Sequence, residues 1–299
     1  MTGYNFFSNT KKMTVKSILF FTLIFACNFS FCYAQNDPAK KQNTSEVNGT
    51  PLVFGVVADI QYADKDALRG RFYRASINNL KNCVAAINDE NPVFTVQLGD
   101  IIDGHKDDNH KTRADLDSVV RVISHLNMPL HHVIGNHDML AGKAYLEAKL
   151  NMKSFYYDFT TPSCDGWRFV VLDGNDGGYG IMTDSQVEWF SLLIKEAEKR
   201  GEKVICFCHY ALVPDAAANH RMAKPEPVLE ILDSTGCVKA WFAGHDHKGG
   251  YCLRKEVHHI TMKGMVEAPE KNSFAIVKLY PDKMIINGLG KEESRLLQF

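Results

Sequence analysis

Five short polar segments, each placed directly after an apolar run, constrain this chain more than any other feature. They read Asp59-Ile60-Gln61, Gly99-Asp100-Ile101-Ile102-Asp103, Gly135-Asn136-His137-Asp138, Cys208-His209 and Gly244-His245-Asp246-His247. Apolar runs of this length, bounded by Gly, Asp and Asn, read as buried strands. Polar side chains gathered at the ends of several strands require a fold in which those ends meet. In open α/β sheets ligands bind outside the carboxyl ends of the strands, where these segments lie.

The order of elements agrees with that class. Residues 52–58 are apolar throughout, as in a strand covered on both faces. The spacing of Phe72, Ala75, Ile77, Leu80, Val84 and Ile87 predicts a helix over 71–89. A strand at 93–98, a helix at 111–126 and a strand at 130–134 follow. Strands are expected at 155–159 and 168–172, then a helix over 184–199 with its cap at Thr183 or Asp184. A strand at 204–208, a short helix at 227–233 and a strand at 237–242 come next. The last third alternates short strands, near 250–253, 257–262, 275–280 and 284–288. Strand-helix-strand early and strands late imply an α/β core closed by a mixed second sheet. The glycine-rich 174–180 stretch lacks the spacing of a dinucleotide-binding turn and reads as a mobile loop.

With 299 residues the chain is long enough for one large domain, and its 45% hydrophobic content is that of a globular protein. The net charge of −1 provides no basic field to hold nucleic acid, so an anionic ligand must be gripped locally. Lys11, Lys12 and Lys16 precede an apolar run over 18–27, and Cys32-Tyr33-Ala34 offers a small-residue cleavage site. That order is expected of a secretory signal peptide over 1–34, which leads to export, periplasmic or secreted. An uncleaved anchor and lipidation at Cys27 are the alternative readings. The apolar run is short for a membrane span. Residues 35–50 are polar and read as a flexible linker, with the folded domain over 51–299. Most of the six cysteines beyond the leader lie in apolar contexts, where a free thiol packs as a small hydrophobe. Cys206 and Cys208 are taken to lie on opposite strand faces and not to pair.

The polar segments carry carboxylate, amide and imidazole but no recurring thiolate, a donor mixture suited to Mn, Fe or Zn, with Mg possible. Asp59 and Gln61, two apart, reach one side of a strand end as an ion's ligands, or Asp59 forms an Asx turn. Asp100 after Gly99 is placed to bridge two ions. Asp103 reads either as a carboxylate that orients a ligand or a catalytic imidazole, or as a cap. Asn136 offers an amide oxygen, which leaves His137 to face a substrate as proton donor or charge stabiliser. His209, His245 and His247 complete the donor set; the His-x-His pair serves one ion each or both one ion. The adjacent pairs His131-His132 and His258-His259 read as packing or surface residues. Arg69, Arg71 and Arg74 flank Phe72 and Tyr73. They meet a pyrophosphate and a base, or form a solvated helix face. Tyr210 and Tyr251, each beside a polar segment, are candidate stacking groups. Two bridged cations activate water and clamp phosphoryl oxygens, so phosphoester or phosphoanhydride hydrolysis is the expected chemistry.

Together the segments resemble the calcineurin-like metallophosphoesterase superfamily, whose pattern is D-x-H, GD-x-x-D, GNH[DE], a lone H, then GH-x-H. The resemblance spans roughly residues 53–290. It implies a four-layer α-β-β-α sandwich of two mixed sheets with flanking helices, and a two-metal centre at the strand ends. It also implies one ion on Asp59, Gln61, Asp100 and His247, a second on Asp100, Asn136, His209 and His245, and His137 as the catalytic histidine. Gln61 stands where most members have His. In this and in the stretches 54–64, 97–104, 242–251 and 280–284 the chain is similar to the manganese-dependent ADP-ribose/CDP-alcohol diphosphatases. That similarity implies hydrolysis of nucleoside diphosphate-linked small molecules. A general phosphomonoesterase, a cyclic-nucleotide phosphodiesterase and a non-catalytic metal-binding scaffold are the competing readings.

Overall fold

A computed structural model describes residues 49–299 except Cys164. The leader over 1–34 and most of the 35–50 linker lie outside the described residues. The elements, in order, are β1 (Leu52–Val57), α1 (Ser76–Glu90), β2 (Phe94–Gln97), α2 (Asn109–Ile123), β3 (Leu130–His132), α3 (Lys143–Leu150), β4 (Tyr157–Phe159), β5 (Trp167–Leu172), α4 (Asp184–Lys199), β6 (Lys203–Cys208), α5 (Glu226–Asp233), β7 (Val238–Ala243), β8 (Gly250–Arg254), β9 (Val257–Thr261), β10 (Ser273–Leu279), β11 (Lys283–Gly290) and β12 (Arg295–Gln298).

The strands form two six-stranded mixed sheets, β12-β11-β10-β1-β2-β3 and β4-β5-β6-β7-β9-β8. β1, β2 and β3 run parallel, as do β5, β6, β7 and β9. Alternate side chains on each strand separate two environments. Phe54 and Val56 of β1 point between the sheets, while Val57 meets the helices outside. The inter-sheet layer is built on Phe54, which stacks on Phe94 (5.1 Å between centroids) and meets Phe169, Phe207 and Phe242 edge-on. α1, α2 and α3 cover the outer face of the first sheet, and α4 and α5 that of the second. The result is the expected four-layer sandwich, and it explains why the parallel strands are apolar on both faces.

Several boundaries depart from the sequence reading. α1 begins at Ser76, not Arg71, because Leu68 and Arg71 close a small bridge and Arg69 and Gly70 adopt positive φ. α3 and β12 were not expected: α3 buries only Leu146 and Leu150, and β12 is a four-residue edge strand. α4 has the expected span, with the Thr183 hydroxyl accepting from the Gln186 N–H. Cys206 and Cys208 share one strand face, since residues two apart must, and pack toward α4; both are free thiols. His131 stacks on Phe159, and His258 and His259 are buried in β9, so these imidazoles serve packing. Among the described residues no helix is long and apolar enough to cross a membrane.

Candidate metal centre

The two sheets end side by side, so the turns after β1, β2, β3, β6 and β7 converge. These turns are tight and conformationally costly. Asp59, Gln61, Asp100 and His245 all have positive φ (50°, 41°, 51° and 68°). Such backbone costs on the order of 1–3 kcal/mol per non-glycine residue and persists only where the surroundings impose it. Here the turns hold one another. Asp59 N donates to Gly99 O (3.2 Å), Gln61 N to Asp100 O (2.8 Å), and Gly244 N to His209 O (3.0 Å). His245 N donates to Asp59 Oδ2 at 3.0 Å. The buried Asp138 carboxylate accepts from the N–H groups of Asp100 (2.8 Å), Ile101 (2.9 Å) and Gly135 (2.9 Å). Asp138 therefore fastens the second turn to the third and does not face the cluster. Gly135 is needed because any Cβ there would overlap the Asp100 carboxylate.

At the centre, ligand atoms of Asp100, His209 and His245 all lie within 4.8 Å of one another. His209 Nε2 is 3.1 Å from His245 Nδ1 and 3.3 Å from Asp100 Oδ2. Gln61 Nε2 is 3.1 Å from the same carboxylate oxygen, and its Oε1 is buried with no partner. His247 Nε2 lies 3.5 Å from Asp59 Oδ1. Two of the imidazoles have their far nitrogen fixed. His209 Nδ1 must carry a proton, because it donates to Leu98 O at 2.8 Å; His247 Nδ1 meets Glu267 Oε1 at 3.0 Å. Both thus turn Nε2 toward the cluster, the arrangement that orients metal-binding histidines. Facing imidazoles, two buried carboxylates and an orphaned amide oxygen form a donor set that fits divalent cations. Asp59, Gln61, Asp100, Asn136, His209, His245 and His247 are the residues that could hold them.

The electrostatics follow from that crowding. Burial opposes protonation of His209, yet the Asp100 carboxylate, aided by Asp59, pushes it up to about 9. Burial likewise opposes protonation of His247, but Asp59 and then Glu267 raise it to about 9. His245 goes the other way, down to about 4, through burial and the charge of His209. Burial would raise Asp100, but His209 and His137 outweigh it and hold the carboxyl well below the usual range. A cation must displace the protons on His209 and His247. Divalent metal binding near pH 7 should therefore release about two protons per fully loaded centre, and affinity should rise as pH rises toward 9. Titration calorimetry in buffers of different ionisation enthalpy measures this; pH-independent affinity with no proton release would contradict it.

His137 sits beside the cluster, half-buried. Its backbone N–H donates to Asp100 Oδ1 (2.8 Å), and its Nδ1–H to Asp103 O (2.7 Å), which leaves Nε2 as the ring nitrogen available to a ligand. Asp103 Oδ1 is 3.3 Å from the same ring, and Lys65 bonds both Asp103 and Gly104 O. Asp103 is thus placed where it could orient the imidazole. Arg71 lies 4.0 Å from Asp103, and its charge acts on His247 and Glu267. Phe72 is exposed next to it, with its N–H bonded to Val266 O.

Three residues expected to contact substrate have other partners in the structure. Arg74 pairs with Asp64 and Asp66 on the surface. Tyr210 is buried at 3% exposure, and its hydroxyl donates to Asn175 Oδ1 (2.9 Å) and lies 3.4 Å from Asn136 Oδ1. It therefore steadies Asn136 and has no free face for stacking. Tyr251 is held on β8 against His258 and Arg295.

Glu267 was missed in the sequence, where nothing but its place in the fold marks it. Glu267→Gln should weaken metal binding about 10–100-fold by loosening His247. Metal titration of the variant checks this; unchanged affinity would remove Glu267 from the site.

A two-sheet α/β sandwich with carboxylate, amide and imidazole donors converging on its strand ends defines a metal-dependent hydrolase. The sequence profile of the calcineurin-like phosphoesterases matches residues 52–249, and the chain belongs to that family. It is 28% identical to a manganese-dependent ADP-ribose/CDP-alcohol diphosphatase of Xenopus laevis, over 91% of this chain and 97% of that protein. It is 30% identical to a protein of the same name from Oryza sativa subsp. japonica, over 80% and 91% respectively. The crystal structure of a dimetal phosphatase from Danio rerio superposes with a TM-score of 0.74 at 27% identity, over 83% of this chain and 99% of that one.

Proposed function

We propose that this protein hydrolyses the phosphoanhydride of nucleoside diphosphate-linked small molecules, ADP-ribose and CDP-alcohols among them. Two divalent ions, manganese first, are its cofactors. Asp59, Gln61, Asp100 and His247 would hold one ion, and Asp100, Asn136, His209 and His245 the other. Such a pair supplies an activated water and neutralises phosphoryl oxygens. Gln61, a neutral oxygen donor in place of imidazole, favours manganese over softer ions. His137, protonated on both ring nitrogens, gives its Nε2 proton to the departing oxygen, Asp103 keeps that ring in register, and Arg71 supplies positive charge to the phosphates. The convergence of Asp100, His209 and His245 beside His137 is the observation that carries this reading. The names of the relatives narrow the substrate class.

A panel of ADP-ribose, CDP-choline, p-nitrophenyl phosphate and cyclic AMP, each with Mn, Mg and Zn, tests it. ADP-ribose and CDP-choline should yield paired monophosphates, fastest with Mn. Release of inorganic phosphate from monoesters without cleavage of ADP-ribose would contradict it in favour of a phosphomonoesterase. Export is the second part of the proposal, supported by the charged-apolar-small order of the first 34 residues. Sequencing of the mature amino terminus should begin at or after residue 35; a retained leader would contradict export.

A further inference from the structure

A cavity of about 380 Å³ opens beside the centre, with His137 in its wall. Lys65, Asp103, Lys106, His137, Leu140 and Tyr179 are among the residues that line it, the Asp103 carboxylate being paired with Lys65. Its volume falls in the range of small-molecule sites, roughly 300–1,000 Å³. Tyr179 is presented by the glycine-rich loop after β5. Gly178 and Gly180 take φ of 117° and 70°, and Asn175 Nδ2 ties the loop to Ile134 O (2.9 Å) at the base of the site. The tyrosine is 65% exposed, so its ring keeps a free face, unlike that of Tyr210. Lys106 is exposed and has no ion-pair partner among the described residues, whereas Lys65 is fixed on Asp103. The cavity therefore joins an aromatic face and an apolar side chain, Leu140, to a free ammonium, beside the His137 ring.

We infer that this cavity receives the leaving half of the substrate, and that this half is the nucleoside monophosphate. The inference rests on the proposed diphosphatase activity. His137 forms part of the cavity wall, so the oxygen that takes its proton lies at the cavity, and the group that departs with that oxygen occupies it. Tyr179 offers the face on which a base stacks, and Lys106 a positive charge for the phosphate that departs. Bond changes are then fixed. Water oxygen bonds to the phosphorus of the non-nucleoside phosphate. The bond from that phosphorus to the bridging oxygen breaks, and its electron pair leaves with the nucleoside monophosphate. His137 protonates that oxygen, and the attacking water loses a proton to solvent.

The test is the fate of the water oxygen. The full Mn-loaded protein hydrolyses ADP-ribose in ¹⁸O-water, and both products are weighed by mass spectrometry. Label in ribose 5-phosphate, with AMP unlabelled, is the expected result. Label in AMP overturns the inference while leaving the diphosphatase reading intact; absence of cleavage overturns that reading and the inference with it. Calorimetric binding gives an independent measure. Tyr179→Ala should weaken AMP about tenfold and leave ribose 5-phosphate unaffected. Equal loss for both products, or none for AMP, would remove Tyr179 from the subsite.

Discussion

Asp100→Asn should lower turnover by about 10³-fold or more and take the protein from two bound ions per chain to one or none. Asp100 is almost fully buried and touches Gln61, His209 and the His137 N–H at once. The substitution keeps the shape of the side chain and removes the charge that both cations would share. It also removes the main influence that raises His209, whose burial then favours the neutral ring. Plasma mass spectrometry of dialysed protein counts the metals, and steady-state kinetics with saturating Mn gives turnover. Full metal content and full activity in the Asp100→Asn variant would show that the carboxylate holds no cation.

His137→Ala should have a different signature, a fall in kcat of about 10²–10⁴-fold with metal content unchanged. The imidazole is beside the donor cluster, yet its Nδ1 proton is committed to Asp103 O and the residue lines the cavity. The backbone N–H that supports Asp100 survives the substitution, so the cluster should keep its shape. Loss of both metals in this variant would make His137 a structural prop. Unchanged kcat would remove it from proton transfer.

How much of this was legible in the sequence depended on which interactions decide each feature. The strand ends were legible because burial on both faces makes the parallel strands continuous apolar runs, and polar residues mark where they stop. The donors were legible for the same reason, since Asp59, Asp100, Asn136, His209 and His245 follow those runs directly. The start of α1 was not: Phe72 and Ala75 fit a helical stripe, but the left-handed backbone at Arg69 and Gly70 sets a turn there. Long-range partners were also hidden. Glu267 reaches His247 across twenty residues, and Tyr210 meets Asn136 across seventy-four. The stacking role expected of Tyr210 rests on sequence proximity to a ligand, and the burial of its ring leaves no face for a base. Tyr179 was passed over because a glycine-rich loop gives no period from which to read the direction of a side chain.

The most direct measurement is anomalous diffraction at the manganese edge from a crystal soaked in Mn²⁺. The account predicts two peaks, roughly 3.5–4 Å apart, with Asp100 between them. One should lie against Asp59, Gln61 and His247, the other against Asn136, His209 and His245. A single peak elsewhere, or none within reach of Asp100, would contradict the account.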